Sequence, residues 1–296
     1  MDSIHLHTCP VCGSKNIVKA FDCKDYYATQ ELFEIHRCST CLFLFTQNFP
    51  NEANIDKYYD TAVYISHSDN KKGLVNKLYH SIRKIMLKQK ARIITKHAGN
   101  TGNILDIGCG IGYFLGHMKQ QGYEVTGIEK NDYARNAAIK QFSINCYASE
   151  KLNSLNKESF DIITFWHSLE HLEKLNETIN TIHSLLKKNG TVFIAVPNAN
   201  SADARYYKEK WAAYDVPRHL WHFTAETMKQ LLEKAGFYIE TIYPMPFDAF
   251  YVAMLSEKYK NKPLAFLTGL FIGLWCFIKS KHQIKASSSL IFVAKK

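Results

Sequence analysis

Two short segments of the chain combine histidines, which can exchange protons near neutral pH, with aromatic residues. The first segment, 166–172, reads WHSLEHL and contains His167 and His171. The second segment, 211–223, reads WAAYDVPRHLWHF and contains His219. A histidine can take a proton from a hydroxyl group or from an acidic carbon, which prepares either group to attack as a nucleophile. We therefore predict that these three histidines are catalytic residues.

The neighbours of the histidines leave a structural interpretation open. Glu170 and His171 could cap and brace the turn after a strand, and Asp215 and Arg218 could form a structural ion pair. The aromatic side chains of the second segment predict the wall of a small-molecule pocket, because such pockets combine apolar surface with a few polar groups. These side chains are Trp211, Tyr214, Trp221 and Phe223.

Three glycines at alternate positions follow Asp106 in the stretch ILDIGCGIGYFLGHM, 104–118: Gly108, Gly110 and Gly112. Glycine allows left-handed backbone angles and lets main-chain atoms approach a ligand closely. In a doubly wound sheet, the turn from the first strand to the first helix lies at the ligand. The spacing D-x-G-x-G-x-G differs from the G-x-G-x-x-G of dinucleotide sites.

The position of Asp106 predicts a ligand with a positive charge. A carboxylate at this turn would repel the pyrophosphate of a dinucleotide, whereas it would attract a sulfonium or an ammonium group. Glu129 ends the next predicted strand, where an acid can accept hydrogen bonds from both hydroxyls of a ribose. The two acids together predict an adenosine ligand with a cationic tail.

Residues 106–129 resemble motifs I and II of the class I S-adenosylmethionine-dependent methyltransferases, and FDIITFWHSLEHL and LLKKNGTVFIAVPN follow in the order typical of that family. The resemblance implies an α/β fold, a Rossmann-like doubly wound sheet of seven strands with an antiparallel last strand. It also implies S-adenosylmethionine as the cofactor, with Ala148 or Ser149 near its adenine. The implied cofactor-binding residues are Asp106, Gly108, Cys109, Gly110, Gly112, Glu129, Ser149 and Trp166. A glycine turn in an NAD-type or inert domain is the alternative.

Two branches of this family are similar to further parts of the chain. WHSLEHL resembles a segment of ubiquinone-pathway O-methyltransferases in which an acid, a second acid and a histidine bind a divalent metal; His167 stands at the first acid. The second histidine segment resembles an element of sugar C-methyltransferases of antibiotic pathways, which carry a zinc ribbon before this fold.

Four cysteines in two CxxC pairs open the chain: Cys9, Cys12, Cys38 and Cys41. Four thiolates suit tetrahedral Zn²⁺, and such a closed site leaves no position for catalysis. A segment this short lacks a core of its own, so we expect a structural zinc ion to supply its folding energy. A redox pair or an iron site is the alternative. The N-terminus lacks the apolar stretch of a secretory signal, which favours a reducing, cytoplasmic location.

The remaining pattern predicts the elements that must position these residues. Strands and helices alternate after about residue 99, as in a doubly wound parallel sheet. We predict a zinc ribbon over 1–48, a linker with a basic amphipathic helix over 49–98, and a methyltransferase domain over 99–296. That domain contains a hydrophobic helical insert over 247–286.

Residues 264–278 of the insert are almost entirely apolar but too few to span a bilayer, which takes about 20 residues. Gly269 and Gly273 allow close helix contact. We favour a buried helix that covers the substrate side. A dimer face and a helix in a membrane interface are the alternatives, and the latter would make the protein membrane-associated.

The formal charge of +10 at pH 7 favours anionic partners without choosing among them. Taken together, the sequence predicts an enzyme that transfers a methyl group from S-adenosylmethionine to a small-molecule acceptor. The acceptor atom is oxygen or carbon, on a sugar, a lipid-linked molecule or a quinone-like ring. An RNA-modifying methyltransferase and a non-catalytic binding module are the two alternatives.

Overall fold

The computed structural model describes residues 3–59, 74–261 and 264–296, with their side chains except over 74–81. In these residues the strands are β1 (Ser3–Ile4), β2 (Ile17–Lys24), β3 (Leu32–Cys38), β4 (Leu44–Gln47), β5 (Phe49–Pro50), β6 (Asn103–Ile107), β7 (Glu124–Ile128), β8 (Asn145–Tyr147), β9 (Phe160–Trp166), β10 (Leu186–Pro197), β11 (Trp221–His222), β12 (Tyr238–Pro244) and β13 (Ser289–Lys295). The helices are α1 (Leu74–Ala98), α2 (Tyr113–Gln120), α3 (Asp132–Phe142), α4 (Leu175–Leu185), α5 (Ala202–Tyr207), α6 (Ala225–Lys234), α7 (Asp248–Tyr259) and α8 (Ala265–His282).

A seven-stranded sheet has the strand order β12-β13-β10-β9-β6-β7-β8. Strand β6 is parallel to both β7 and β9, and β7 is parallel to β8. The chain runs outward from β6 through β7 to β8 and then returns to β9 on the other side of β6. In open sheets of this kind, a ligand binds beyond the carboxyl ends of the strands at such a reversal. The sheet is mixed, and the predicted Rossmann-like fold is confirmed.

The central strands consist mainly of apolar residues because both faces of the sheet are covered. Ile104 and Leu105 of β6 and Ile162 and Ile163 of β9 are fully buried. Gly112 precedes α2 at φ +80°, and a Cβ built on it would lie 2.8 Å from the Cβ of Ala138 in α3. Only glycine allows α2 and α3 to pack this closely.

Helix α4 ends earlier than the sequence predicts. Asn189 and Gly190 indicate a helix over 174–188, but the helix ends at Leu185 and β10 begins at Leu186. Leu186 is fully buried, and a Cβ on Gly190 would lie 2.7 Å from Leu186 Cδ2. Strand pairing therefore outweighs the local turn signal. The predicted cap of α6 is confirmed, since Thr224 accepts a hydrogen bond from the backbone N–H of Thr227.

The described residues group into two compact units. One unit comprises Met1–Tyr59, His167–Thr178 and Ile194–Phe292, and the other comprises Asp60–Trp166, Ile179–Phe193 and Val293–Lys296. The predicted boundaries at residues 48 and 98 stay a prediction. Residues 60–73 of the predicted linker lie outside the described residues.

The N-terminal cysteine segment shares its sheet with a later part of the chain. The antiparallel sheet has the order β11-β4-β3-β2, and Trp221 of β11 pairs with Phe45 of β4. The backbone N–H of Thr46 also donates to the carbonyl of Leu220. The residues after His219 therefore complete the ribbon sheet.

Helix α8 packs against α7 through its glycines and exposes its opposite face. A Cβ on Gly269 would lie 2.6 Å from the Cα of Met254, and one on Gly273 would lie 2.8 Å from the Cα of Phe250. The other face is exposed, with Phe271 at 70%. The expectation that this helix is buried is therefore wrong, whereas the expectation that it covers the substrate side stays a prediction. None of the helices in the described residues has the length and apolarity needed to span a bilayer.

Candidate functional site

The glycine turn after β6 is built from left-handed residues. Gly108, Gly110 and Gly112 have φ angles of +76°, +54° and +80°. The backbone N–H groups of Gly108 and Cys109 both donate to the carbonyl of Ile128, at 2.8 and 3.1 Å. A Cβ built on Gly110 would meet no atom within 4 Å. The turn is thus anchored at one end and has open space beside Gly110.

Asp106 is a buried acid with a single side-chain hydrogen bond among those the structure describes. The Thr164 hydroxyl donates to Asp106 Oδ1 at 2.6 Å. Burial raises the pKa of the Asp106 carboxyl to about 7, although the Thr164 hydrogen bond and the charge of Lys90 oppose this rise. A carboxylate has about four lone-pair directions, so most of the acceptor capacity of Asp106 is available to a ligand.

Glu129 follows β7 and connects two turns. Its Oε2 accepts from the backbone N–H of Gly110 at 2.8 Å, and its Oε1 accepts from the backbone N–H of Asn131 at 2.9 Å. Each oxygen keeps one more lone pair, so the carboxylate can still accept two hydrogen bonds from neighbouring hydroxyls. Glu129 therefore fixes the glycine turn and offers a site for a ribose.

The other predicted cofactor residues lie on adjoining elements of the same unit. Trp166 ends β9, its ring lies 5.2 Å from Phe114, and Lys90 Nζ lies 4.2 Å from the ring centroid. The indole N–H of Trp166 is buried without a hydrogen-bond acceptor. Ser149 begins the 3-10 helix Ser149–Ser154 after β8.

Cys109 lies in the turn itself. Its Sγ is 3.3 Å from Cys146 Sγ, and a Cβ on Gly127 would lie 2.6 Å from the Cys109 sulfur. This side chain points into the sheet next to β7 and β8, so Cys109 supports the turn by packing.

These observations fit a nucleoside with a cationic tail. The space beside Gly110 is not filled by protein, the Trp166 N–H lacks an acceptor, and two buried acids keep acceptor capacity. Asp106 would face the positive charge, and Glu129 would hold the ribose.

A second group of side chains lies in the other unit, around the 3-10 turn Leu169–His171. Glu170 is fully buried, and neither of its carboxylate oxygens has a hydrogen-bond partner. The rings of His171 and His219 meet edge to face, with centroids 4.5 Å apart. One side-chain atom from each of Glu170, His171 and His219 lies within 4.8 Å of the others. The structure thus brings two predicted catalytic histidines together around a buried acid.

The Nδ1 atom of each of these histidines lies within hydrogen-bond distance of a backbone carbonyl oxygen. His171 Nδ1 lies 3.0 Å from the Arg218 carbonyl oxygen, and His219 Nδ1 lies 2.8 Å from that of Ala213. Burial and the neighbouring His219 lower the pKa of His171 to about 4, so His171 is neutral at pH 7. The Nε2 atom of His219 lies 3.9 Å from Asp215 Oδ2.

His167 occupies a strained backbone position between two acids. Its φ is +58°, which is uncommon for a residue with a Cβ and marks functional sites more often than others. His167 Nε2 lies 3.1 Å from Asp248 Oδ2, and Nδ1 lies 3.5 Å from Glu170 Oε1. Burial lowers the pKa of His167, but Asp248 and Glu170 outweigh it and raise the pKa to about 9. At neutral pH this ring is a donor and not a base.

The loop that carries His219 is held by a buried arginine. Arg218 is 4% exposed and donates to both carboxylate oxygens of Asp215, to Asp25 Oδ1 at 3.0 Å and to the carbonyl of Tyr58 at 2.8 Å. The structural interpretation of the Asp215–Arg218 pair is therefore confirmed. His222 also has a structural role, since its Nε2 lies 3.1 Å from the Thr46 hydroxyl.

The aromatic side chains of the second segment are core residues. All four are at most 5% exposed, and Trp211 lines a small cavity together with Asp215, Arg218 and Tyr259. Trp221 packs against Phe43 and Phe49 of the ribbon, with centroid distances of 6.4 and 5.8 Å. Their apolar surface stabilises the packing of the ribbon on the neighbouring loop. Sequence patterns alone do not distinguish such a core from a pocket wall.

The four cysteines of the CxxC pairs converge. Their sulfurs all lie within 4.8 Å of one another, with Cys9–Cys41 and Cys12–Cys38 separations of 3.5 Å. Sulfurs bound at about 2.3 Å in a tetrahedron lie about 3.8 Å apart, so the cluster fits Zn²⁺. The two turns also match, because Gly13 N–H donates to the Cys9 carbonyl and Leu42 N–H donates to that of Cys38.

Three residues that position these side chains carry no signal in the sequence. Asp248, Asp25 and Tyr59 contact His167, Arg218 and His171, respectively, and Tyr59 places its hydroxyl 3.2 Å from His171 Nδ1. Each is distant along the chain from its partner and lies outside any recognisable motif.

The Rossmann-like fold and the glycine turn are typical of α/β proteins that bind a nucleoside. Comparisons with known proteins identify the family of this chain. A family model described as a methyltransferase domain matches residues 78–242, and the chain belongs to this family. The predicted membership is confirmed.

The chain is also similar to individual proteins. Ubiquinone biosynthesis O-methyltransferase of Coxiella burnetii is 32% identical over 160 residues, which cover 51% of this chain and 66% of that protein. The enzyme of the same name from an Azoarcus species is 30% identical over 115 residues, which cover 36% of this chain and 49% of that protein. The chain thus spans about half to two thirds of the length of these curated relatives.

Among solved structures, a SAM-dependent methyltransferase from Archaeoglobus fulgidus has a TM-score of 0.52 and 24% identity, and the match covers 72% of this chain and 94% of that one. This likeness supports the fold.

We predict that the purified protein retains zinc through its cysteine cluster. Cys12→Ser combined with Cys38→Ser should remove about one equivalent of zinc and lower the thermal midpoint, because metal binding supplies much of the folding energy of such a segment. Elemental analysis after dialysis against a chelator measures the zinc. Cys276→Ser, a buried cysteine outside the cluster, is the control. An unchanged zinc content in the double variant, or iron in place of zinc, would contradict the prediction.

Proposed function

We propose that the protein transfers a methyl group from S-adenosylmethionine to a small-molecule acceptor, on oxygen or carbon. The observation that carries this proposal is the 2.8 Å hydrogen bond from Gly110 N–H to Glu129 Oε2. It joins the glycine turn to the predicted ribose acid while leaving acceptor positions on that acid. Membership of the methyltransferase-domain family supports the same activity.

The chain's own residues would hold the cofactor at three points. Glu129 would accept the ribose hydroxyls, Ser149 would lie near the adenine, and Asp106 would face the positive charge. When bound, S-adenosylmethionine supplies a methyl group on a cationic sulfur. Trp166, with its unpartnered N–H, would flank the ligand at the end of β9.

The residues of the histidine cluster would act on the acceptor. Along the chain, His167 directly follows Trp166, and the cluster combines the buried Glu170 with the imidazole rings of His171 and His219. His167, His171 and His219 stay the predicted catalytic residues, with His167 as a proton donor and not as a base. Similarity to ubiquinone biosynthesis O-methyltransferases favours an oxygen acceptor on a quinone-like or lipid-linked molecule.

We further propose that the protein works in the cytoplasm at an anionic membrane surface, which α8 contacts. The outer face of α8 exposes a row of large apolar side chains at helical spacing. These are Phe266, Leu267, Leu270, Phe271, Leu274, Trp275 and Ile278. A contiguous exposed apolar patch of this kind is unusual for a protein without a partner.

The charges around α8 favour a lipid surface over a protein partner. Residues 258–285 contain no acidic residue, and their lysines flank both ends of the helix. Lys279 Nζ lies 4.4 Å from the Trp275 ring, a pairing suited to the boundary between acyl chains and anionic headgroups. A lipid-linked acceptor would be reached from this position.

We predict that the protein binds S-adenosylhomocysteine and labels a small-molecule or lipid pool. A radiolabelled methyl-transfer screen over small-molecule, lipid and RNA fractions identifies the acceptor class. Glu129→Ala should weaken binding about 10- to 100-fold in calorimetry, since it removes charge-assisted hydrogen bonds. Glu124→Gln, an exposed acid of β7, is the control. Absence of nucleoside binding by the unmodified protein would refute the function, and label only in RNA would refute the acceptor class.

We predict that cofactor affinity depends on pH through Asp106. Its raised pKa of about 7 means that the carboxyl loses its proton as the pH rises towards neutrality and gains the charge that attracts an ammonium group. Affinity for S-adenosylhomocysteine should therefore increase about tenfold between pH 5.5 and pH 7. Asp106→Asn should show weaker binding with little pH dependence. A variant whose pH profile matches that of the unmodified protein would assign the titration to another group.

We predict that the protein floats with vesicles rich in phosphatidylglycerol and not with phosphatidylcholine alone. Phe266→Ser combined with Phe271→Ser should abolish flotation, because both side chains are about two thirds exposed on the outer face of α8. Tyr133→Ser, an aromatic residue exposed on α3, is the control. Failure to float, or a dimer in analytical ultracentrifugation that the double variant disrupts, would overturn the membrane assignment.

A further inference from the structure

Two cysteines outside the N-terminal cluster touch each other beside the glycine turn. Cys109 lies in the turn after β6, Cys146 lies in β8, and their sulfurs are 3.3 Å apart. Sulfurs joined in a disulfide are about 2.05 Å apart, so bond formation requires a movement of about 1.2 Å. The two residues are 37 positions apart along the chain, so it is the fold that brings the two thiols together.

A glycine in the strand between the two cysteines makes this contact possible. Gly127 lies in β7, and a Cβ built on it would lie 2.6 Å from Cys109 Sγ and 3.1 Å from Cys146 Sγ. Any side chain at position 127 would therefore displace the Cys109 sulfur. A glycine in the interior of a strand weakens the strand and often marks a place where another group approaches closely. At Gly127 the approaching groups are the two thiols.

We propose that Cys109 and Cys146 form a reversible disulfide on exposure to hydrogen peroxide, and that this disulfide weakens nucleoside binding. Disulfides in reducing compartments are usually transient and serve catalysis or redox sensing. Within the part of the chain that the structure describes, no third histidine, cysteine or acid joins the two sulfurs in a metal-binding group. Cys109 is only half-buried, so a small oxidant can reach the pair.

The hydrogen bond between the two thiols decides which of them reacts first. It lowers the pKa of Cys146, which burial opposes, and it raises the pKa of Cys109. The thiolate is the nucleophile, so Cys146 attacks a peroxide oxygen. An S–O bond forms, the O–O bond breaks, and the departing hydroxide takes a proton from solvent and becomes water.

Cys109 completes the reaction because it already touches the oxidised sulfur. Its sulfur attacks the Cys146 sulfenic acid, an S–S bond forms, and the sulfenic hydroxyl leaves with the Cys109 proton as water. Two thiols are thus oxidised to one disulfide, and one peroxide is reduced to two waters. A dithiol such as dithiothreitol reverses the step by thiol–disulfide exchange.

The disulfide affects the nucleoside site through the backbone of the turn. The N–H of Cys109 donates to the carbonyl of Ile128 at 3.1 Å, and the N–H of the next residue, Gly110, donates to Glu129 Oε2 at 2.8 Å. Drawing the Cys109 sulfur towards β8 pulls on this turn, and a shift of about 1 Å stretches such hydrogen bonds beyond their useful length. Glu129 then loses a contact that orients it. The disulfide stands on the geometry above, whereas its effect on the nucleoside rests on the proposed function.

Peroxide treatment of the full-length protein, followed by peptide mapping in a mass spectrometer, tests the disulfide. We expect a cross-linked peptide pair containing Cys109 and Cys146 that dithiothreitol separates. Calorimetry with S-adenosylhomocysteine measures the consequence. Oxidation should weaken binding about fivefold, as expected for the loss of one hydrogen bond, and dithiothreitol should restore it.

Cys146→Ser is the variant that separates this disulfide from other oxidation. It should bind the nucleoside as the reduced unmodified protein does and keep that affinity after peroxide. It retains the N-terminal cysteine cluster, so damage to that cluster would weaken binding in the variant as well. Cys276→Ser, which removes a buried cysteine elsewhere, should respond to peroxide as the unmodified protein does. If Cys146→Ser folds poorly, the peptide map and the recovery with dithiothreitol decide the matter in the unmodified protein.

The outcomes that overturn the proposal differ from those that refute the proposed function. Absence of the cross-link, equal loss of affinity in Cys146→Ser, or equal affinity of the reduced and cross-linked protein overturns the redox switch. Each of these leaves the proposed function standing as long as the reduced protein binds the nucleoside. A reduced protein that binds no nucleoside refutes the proposed function and the switch together, whereas the peptide map still shows whether the disulfide forms.

Discussion

The histidine cluster depends on the hydrogen bonds and ion pairs of one buried side chain, the guanidinium of Arg218. Its side chain joins Asp215 to Asp25 in the turn between β2 and β3, and its carbonyl accepts from His171. The next residue along the chain is His219. Removing one partner of a buried ion pair leaves the other charge uncompensated, which costs about 3–5 kcal/mol. The N-terminal segment therefore has a structural role beyond its four-cysteine cluster, since its turn between β2 and β3 supplies an acid that fixes the loop of the histidine cluster.

The predicted nucleoside site could be derived from sequence because its parts are local. Strand β6, the glycine turn and α2 are contiguous, and Glu129 ends the next strand in the order that a doubly wound sheet requires. Each of these residue types indicates a required backbone conformation or a required charge. Gly112, for example, has a positive φ that favours glycine. Thr224 at the start of α6 is predictable for the same reason, because a capping side chain acts within one helical turn.

The rest depends on contacts between distant parts of the chain, which residue patterns do not specify. Asp25 has no property that points to Arg218, and Asp248 has none that points to His167. The end of α4 illustrates the same limit at short range, because pairing in the sheet outweighs the Asn-Gly signal. The aromatic residues around Tyr214 show that the same limit applies to predictions of function. An apolar run next to polar residues is equally typical of a pocket wall and of a core. Only burial distinguishes the two.

The buried carboxylates differ in how far the protein satisfies them, and that difference separates structure from function. Asp25 accepts from the backbone N–H groups of Tyr27, Ala28 and Thr29 and from Arg218, so it has no capacity for a ligand. Glu129 accepts from two backbone N–H groups, Asp106 accepts from one hydroxyl, and Glu170 accepts from none. Because an unsatisfied buried charge is costly, such groups persist where something outside the chain completes them. In this series, hydroxyl groups suit Glu129 and an ammonium group suits Asp106, whereas the charge nearest to Glu170 is the His167 ring of the protein itself, 3.5 Å away.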